Sequence, residues 1–219
     1  MILEAGHGGA GVLDPAAEQS RHGNRTDTQG KDQALQLVRR LDWRFLLPNP
    51  VLGDIAYIGS MGGTLPRALQ QFSDMLTIVL PSDLSSADVK YGCSYETVVL
   101  QSSAVAAVKD VKPLLAPGGY LYWEVERASG IDHVRKYMKA ARRMGFDDIQ
   151  IYWHRPDFET CLEMIPLTNS RALRFAFARR QESTTKRLKF AAGRLLVTTG
   201  LLPRVVPCFS IVARKPQSY

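Results

Sequence analysis

The stretch "DIAYIGSMGGTLPRALQQF", residues 54–72, carries the strongest signal for the fold. Its apolar run over 54–59 predicts a buried strand, and residues 63–72 have the pattern of a helix. Between the two, Gly59, Gly62 and Gly63 allow a tight turn and the approach of a ligand to the backbone. The N-terminus of the helix then offers unpaired N–H groups to anionic or polar atoms. The alternative is a tight strand-to-helix turn that binds nothing.

Short apolar runs alternate with helical patterns along the rest of the chain. This alternation predicts a parallel sheet flanked by helices. A helix before the first strand is predicted from the spacing of Leu35, Val38, Leu41 and Phe45, with Trp43 anchoring it to the core. Further strands are predicted at 75–81, 95–102, 120–126, 148–154 and 208–215, and helices at 104–119 and 131–146.

Length and composition favour one globular domain. The chain has 219 residues, of which 45% are hydrophobic, enough for a sizeable core. We expect a flexible segment over 1–30 and a single domain over 31–219. No apolar run is long enough to span a membrane, and no secretory signal is recognisable at the start. Three widely spaced cysteines suggest neither a disulfide framework nor a metal site, so we expect a cytoplasmic protein.

The positive charge is concentrated in one segment. The net charge is +7, and the stretch from Arg171 to Arg204 contains nine basic residues and one acid, Glu182. We predict a basic helical insertion over 166–207, which caps the site, lies on an anionic membrane surface, or meets an acidic peptide or RNA. A solvated basic face is the alternative, and nucleic acid is disfavoured because no RNA-binding motif accompanies the charge. The apolar side of this helix pair is predicted to comprise Leu173, Phe177, Leu188, Ala192, Leu195 and Leu196.

Three further motifs extend the pattern. "LLAPGGYLYWEV" (114–125), "RRMGFDDIQIYW" (142–153) and "FSIVARK" (209–215), together with the glycine turn, resemble the class I S-adenosylmethionine (SAM)-dependent methyltransferases over 35–160 and 205–216. The resemblance implies a Rossmann-like α/β fold, with a mostly parallel sheet flanked by helices and an antiparallel last strand. It also implies SAM as cofactor and methyl transfer to a small molecule or peptide.

Several residues depart from the family pattern. Tyr57 stands at the position of an acid, Met61 replaces the middle glycine, and Leu80 stands where the second strand ends in a ribose-binding acid. Only fourteen positions, 81–94, separate the second strand from the next, which predicts a sheet shortened after strand 2, with the usual adenine wall either missing or supplied by something else. A catalytically inactive module that binds a protein or peptide partner, or an anionic surface, through the insertion is therefore the alternative function.

Candidate site residues follow from these positions. Glu124 ends a strand, and a carboxylate there is a candidate general base. His154 lies with Asp157 and Glu159 in "YWHRPDFETC", where an imidazole and a carboxylate suit proton transfer; a turn fixed by hydrogen bonds and aromatic packing is the alternative. The predicted catalytic residues are His154, Glu124 and Asp157. The predicted cofactor-binding residues are Gly59, Ser60, Met61, Gly62, Gly63, Pro81, Asp83, Gln101 and Ser102.

Overall fold

Seven strands form one sheet in the computed structural model, which describes residues 33–80, 82, 94–126, 133–178 and 184–217. The compact unit discussed below comprises Leu37–Tyr219. The segment predicted to be flexible, 1–30, lies outside the described residues. The strands are β1 (Asp54–Ile58), β2 (Met75–Val79), β3 (Tyr95–Gln101), β4 (Leu115–Glu126), β5 (Asp147–Arg155), β6 (Glu163–Pro166) and β7 (Cys208–Arg214).

The strand order is β2-β1-β3-β4-β7-β5-β6. β1 is parallel to β2 and β3, and β3 is parallel to β4. The last strand, β7, runs antiparallel to both of its neighbours, β4 and β5. The predicted Rossmann-like sheet with an antiparallel last strand is thus confirmed. Among the described strands β2 lies at the edge, and most of the short segment predicted to follow it, residues 83–93, lies outside the described part of the chain. The hairpin partner β6, antiparallel to β5, was not predicted.

Helices cover both faces of the sheet. The predicted helix over 104–119 is shorter in the structure, because Pro113 interrupts it and Leu115 already pairs with Tyr95 as part of β4. The helices are α1 (33–40), α2 (Thr64–Phe72), α3 (Ala107–Val111), α4 (His133–Arg143), α5 (Ser170–Ala176) and α6 (Thr184–Thr198), with 3-10 turns at Asp42–Leu46, Lys112–Leu114 and Leu202–Arg204.

The first apolar layer lies between the sheet and the helices α1 and α2. Trp43 is buried, as predicted, and its ring stacks on Tyr122 with centroids 3.9 Å apart. The predicted apolar side of the first helix is wrong in part, since Leu41 is buried but Val38 and Phe45 are exposed. The helical period fails there because α1 ends at 40 and the chain continues as a 3-10 turn. Leu37, Leu41 and Trp43 thereby attach this part of the chain to the sheet.

The second layer lies under α3, α4, α5 and α6. Leu173 and Phe177 are buried, the latter against Trp153 and Phe190, so the two apolar positions predicted at α5 and its C-terminal end are correct. For α6 the prediction is wrong for Leu188, Ala192 and Leu195, which are exposed, and correct for Leu196, which packs against the core. α6 packs against the core at Gly193 instead, because a Cβ at this position would clash with the ring of Phe177. The leucines on the opposite side therefore face solvent.

Candidate cofactor-binding site

The strand order creates a crevice beside β1. The chain passes from β1 through α2 to β2 on one side, whereas β3 lies on the other side of β1. In open α/β sheets, ligands bind where the order reverses, at the carboxyl ends of the strands. Gly59 follows β1 directly, and β3 ends at Gln101. The predicted cofactor residues Gly59 and Gln101 therefore meet at this point.

Tyr57 fills the space beneath the glycine turn. Its hydroxyl oxygen lies 2.8 Å from the Ser60 carbonyl oxygen and 2.7 Å from Oε1 of Gln101, and its single proton is shared between these two acceptors. Burial and the neighbouring charge of Glu124 raise the pKa of Tyr57 to about 12, so the phenol keeps its proton. A Cβ on Gly59 would lie 2.6 Å from the phenol oxygen. Gly59 is therefore required by packing against Tyr57.

The remainder of the turn is open. Ser60 and Met61 are exposed, the latter to 55%, so the thioether does not fill the loop. A Cβ on Gly62 or Gly63 would meet nothing closer than 3.9 Å and 3.7 Å, respectively. Gly63 is the N-cap of α2 and provides no side-chain acceptor for the N–H groups of the first two residues of the helix; the third, Pro66, has no N–H. These donors are available to an anionic group.

A row of polar side chains crosses the sheet at the same edge. Gln101, Glu124 and Ser210 are register partners on β3, β4 and β7. They lie two positions from Val99, Tyr122 and Val212, which belong to the layer under α1 and α2, so the row shares that face. His154 on β5 extends it, with Nε2 2.8 Å from Oγ of Ser210.

Arg40 of α1 closes over this row. Its Nη1 and Nη2 donate to Oε1 and Oε2 of Glu124 at 2.6 Å and 2.7 Å, and Tyr122 donates to Oε1 at 3.0 Å. Both members of the ion pair are buried. The predicted catalytic Glu124 thus holds α1 to β4, and its role as a base stays a prediction. Sequence reasoning missed Arg40, although its position beside Leu41 and three residues after Leu37 is the signal that would have found it.

His154 and Asp157 occupy different environments. Burial, together with the charge of Arg40, lowers the pKa of His154 to about 3, so the imidazole is neutral near pH 7. Asp157 is exposed and accepts from the Thr160 backbone N–H and hydroxyl at 2.7 Å and 2.8 Å, which lowers the pKa of its carboxyl. Phe158 packs on the imidazole, with centroids 4.6 Å apart. No described hydrogen bond joins His154 to Asp157, and the arrangement matches the turn alternative.

Glu159 brings a carboxylate to the start of α2. Its Oε2 accepts from the hydroxyl of Thr64, the first residue of that helix, and Arg40 Nε lies 3.4 Å from Oε1. The side chain of Glu159 is half-exposed. Its sequence position suggested a place near His154, and only the fold brings it to the glycine turn.

The remaining predicted cofactor-binding residues are Ser102, Pro81 and Asp83, and Leu80 precedes the last two. Ser102 accepts from the Ala104 N–H at 3.0 Å, and its carbonyl oxygen accepts from Trp123 Nε1 at 2.7 Å, so it shapes the loop after β3. Leu80 directly follows β2 and is 48% exposed. Pro81 and Asp83 lie outside the described residues. In the described part of the chain, His, Cys, Asp and Glu form no cluster suited to a metal, and no helix has the length and apolar character needed to cross a bilayer.

Comparison with solved structures finds similar chain folds at low identity. A SAM-dependent methyltransferase from Archaeoglobus fulgidus aligns at 14% identity over 82% of this chain and 94% of that one, with a TM-score of 0.49. Phosphoethanolamine N-methyltransferase 2 of Haemonchus contortus, in complex with SAM, aligns at 15% identity over 85% of this chain and 53% of that one, with a TM-score of 0.40. The chain thus spans about half the length of the Haemonchus enzyme.

The [4+2]-cyclase SpnF also aligns, at 12% identity over 85% of this chain and 82% of that one, with a TM-score of 0.41. No protein-family model and no curated protein sequence matches the chain. The class that the strand order and orientation define is a methyltransferase-like, Rossmann-like fold. The reaction has to be argued from the site.

Proposed function

We propose that this protein binds SAM at the crevice between β1 and β3 and transfers its methyl group to a small molecule or peptide. The observation that carries the proposal is the open backbone of Gly62 and Gly63 at the uncapped N-terminus of α2. That helix starts at the carboxyl edge of the sheet, beside the point where the strand order reverses.

The residues at the turn fit the methionine end of the cofactor. The first N–H groups of α2 suit its carboxylate, because a helix N-terminus favours negative charge. Glu159 supplies a carboxylate beside Thr64 for its ammonium group, in place of the acid that Tyr57 replaces. Tyr57 and Gln101 form the floor beneath, held by their mutual hydrogen bond.

Positioning is the chemical contribution that we assign to the protein. SAM, when bound, supplies an electrophilic methyl group, and orientation of the acceptor provides much of the rate enhancement in such a transfer. Glu124 is engaged by Arg40, and the depressed pKa of His154 makes it a weak base. Proton transfer by His154, Glu124 or Asp157 is therefore a separate prediction, on which cofactor binding does not depend.

A second candidate function is favoured by residues near the ends of β1 and β2. The buried phenol of Tyr57 occupies space at the switch point, and Leu80 after β2 provides no acceptor for ribose hydroxyls. These features favour a catalytically inactive module that binds a protein or peptide partner, or an anionic surface, through α5 and α6.

Calorimetric titration with SAM distinguishes the two functions. We expect a dissociation constant below about 1 mM, equivalent to about −4 kcal/mol, and thermal stabilisation by SAM. Gly62→Val should weaken binding about tenfold or more, because its side chain blocks the open backbone. The matched control is Gly53→Val, at a glycine before β1 where the nearest atom to a Cβ is 4.0 Å away. Absence of both heat and stabilisation would favour the inactive module, and equal binding by both variants would exclude this crevice.

A further inference from the structure

α6 has apolar residues on two opposite sides. Phe190, Gly193 and Val197 face the core, where Gly193 contacts the ring of Phe177. On the other side, Leu188 and Leu195 are 74% and 64% exposed. They are two helical turns apart on one face, with exposed Ala192 between them. Leu188, Ala192 and Leu195 therefore form an apolar side of α6 that is exposed and does not contribute to the core.

The neighbouring helix, α5, also exposes a large apolar side chain. Phe175 of α5 is 68% exposed, whereas the adjacent Ala176 and the following Phe177 are buried. The end of α5 is fastened to α6, because Arg194 Nε donates to the Phe177 carbonyl oxygen at 2.8 Å. Phe175 and the two exposed leucines therefore lie on helices that are joined to each other.

Basic residues accompany these apolar side chains. Arg171, Arg174, Lys189 and Arg194 are exposed on the two helices, and the stretch from Arg171 to Arg204 has one acid against nine basic residues. Exposed apolar residues with Lys and Arg beside them are typical of helices that lie in the headgroup region of anionic bilayers. Excess positive charge also attracts the protein to such surfaces.

We propose that α5 and α6 bind the surface of an anionic lipid bilayer, with Leu188, Leu195 and Phe175 entering the interface. The basic side chains contact lipid phosphate and carboxylate groups, and the sheet remains outside the bilayer. An anionic bilayer can bind several basic side chains and also take up large apolar side chains that are separated from one another. A protein partner would need a surface complementary to both. This proposal is independent of SAM binding.

Sedimentation of the full-length protein with lipid vesicles tests the proposal. We expect binding to phosphatidylcholine vesicles that contain phosphatidylserine, little binding to pure phosphatidylcholine, and release by salt. The double variant Leu188→Gln/Leu195→Gln should bind about tenfold more weakly. The control is Leu162→Gln, because Leu162 lies outside the helix pair and is also 74% exposed. Lys189→Glu should weaken binding further than Lys109→Glu, an exposed lysine on α3.

Thermal melts of each variant check that the fold is retained. Equal binding to neutral and anionic vesicles, or unchanged binding of the double leucine variant, would overturn the proposal. So would capture of the protein by immobilised polyglutamate but not by vesicles, which would indicate an acidic protein partner instead.

Discussion

At the scale of single residues, Arg40 and Glu124 decide how the candidate site is closed. Glu124 lies near the end of β4, where the sequence suggested a candidate general base, and Arg40 reaches it from α1, 84 positions earlier. Burying two charges is costly, and the pair is maintained because each oxygen of the carboxylate receives a hydrogen bond. The network therefore links the covering helix to the carboxyl edge of the sheet.

Removing one partner of this pair should destabilise the protein strongly. Glu124→Leu and Arg40→Met should each lower the free energy of unfolding by about 3–5 kcal/mol, because an uncompensated buried charge remains. The double variant should lose less than the sum of the two, and urea denaturation of all four proteins measures the coupling. Additive losses, or single losses below about 1 kcal/mol, would show that the pair is not coupled in solution.

The buried imidazole of His154 should make stability depend on pH. Its folded pKa of about 3 lies below the unfolded value of 6.5, so the unfolded chain takes up the proton first. Stability should therefore fall as the pH drops from about 6.5, by up to about 1.4 kcal/mol per pH unit. His154→Gln should flatten this slope between about pH 6.5 and 4.5 in urea denaturation. An unchanged slope in the variant would mean that the imidazole is accessible to protons in the folded state.

At the scale of elements, the strands were easier to predict than the faces of the helices. β1 and β3 each contain a run of consecutive apolar residues, and their observed ends lie within one residue of the predicted ones, whereas β4 begins at Leu115, five residues before its predicted start. β6 has only four residues, too few for a period to be recognised. On α6 the apolar residues lie on two sides, so spacing alone did not reveal which side meets Phe177. That choice depends on the close approach at Gly193, a tertiary contact.

The residue that follows β2, Leu80, should influence the affinity for the cofactor. Leu80→Asp should tighten SAM binding about tenfold, because a carboxylate acceptor for the ribose hydroxyls adds roughly 1.5 kcal/mol. Met75→Asp is the matched control, since it introduces the same charge at the opposite end of β2 at a similarly exposed position. Calorimetric titration compares the two. Equal affinities would show that the ribose does not reach the tip of β2.

At the scale of the whole molecule, the crevice results from the order of the strands in the sheet. Tyr57 and Gln101 are 44 positions apart and meet because β3 pairs with β1 on the side opposite β2. The resemblance to methyltransferases implied a mostly parallel sheet with an antiparallel last strand, and Gly59 and Gln101 were both predicted to bind the cofactor, but their contact was not predicted. The contacts of Glu159 with Thr64 and Arg40 were not predictable, because they join a loop to α2 and α1 through side-chain geometry that no local pattern encodes.

Selective ¹⁵N-glycine labelling and titration with SAM test the central claim most directly. Among the 17 glycines, the amide signals of Gly62 and Gly63 should shift saturably as SAM is added, because these N–H groups border the crevice. Signals are assigned with the Gly62→Val and Gly53→Val variants, and the Gly53 signal should stay in place. Saturable shifts confined to other glycines, or no shift at any concentration that calorimetry can examine, would contradict SAM binding at this turn.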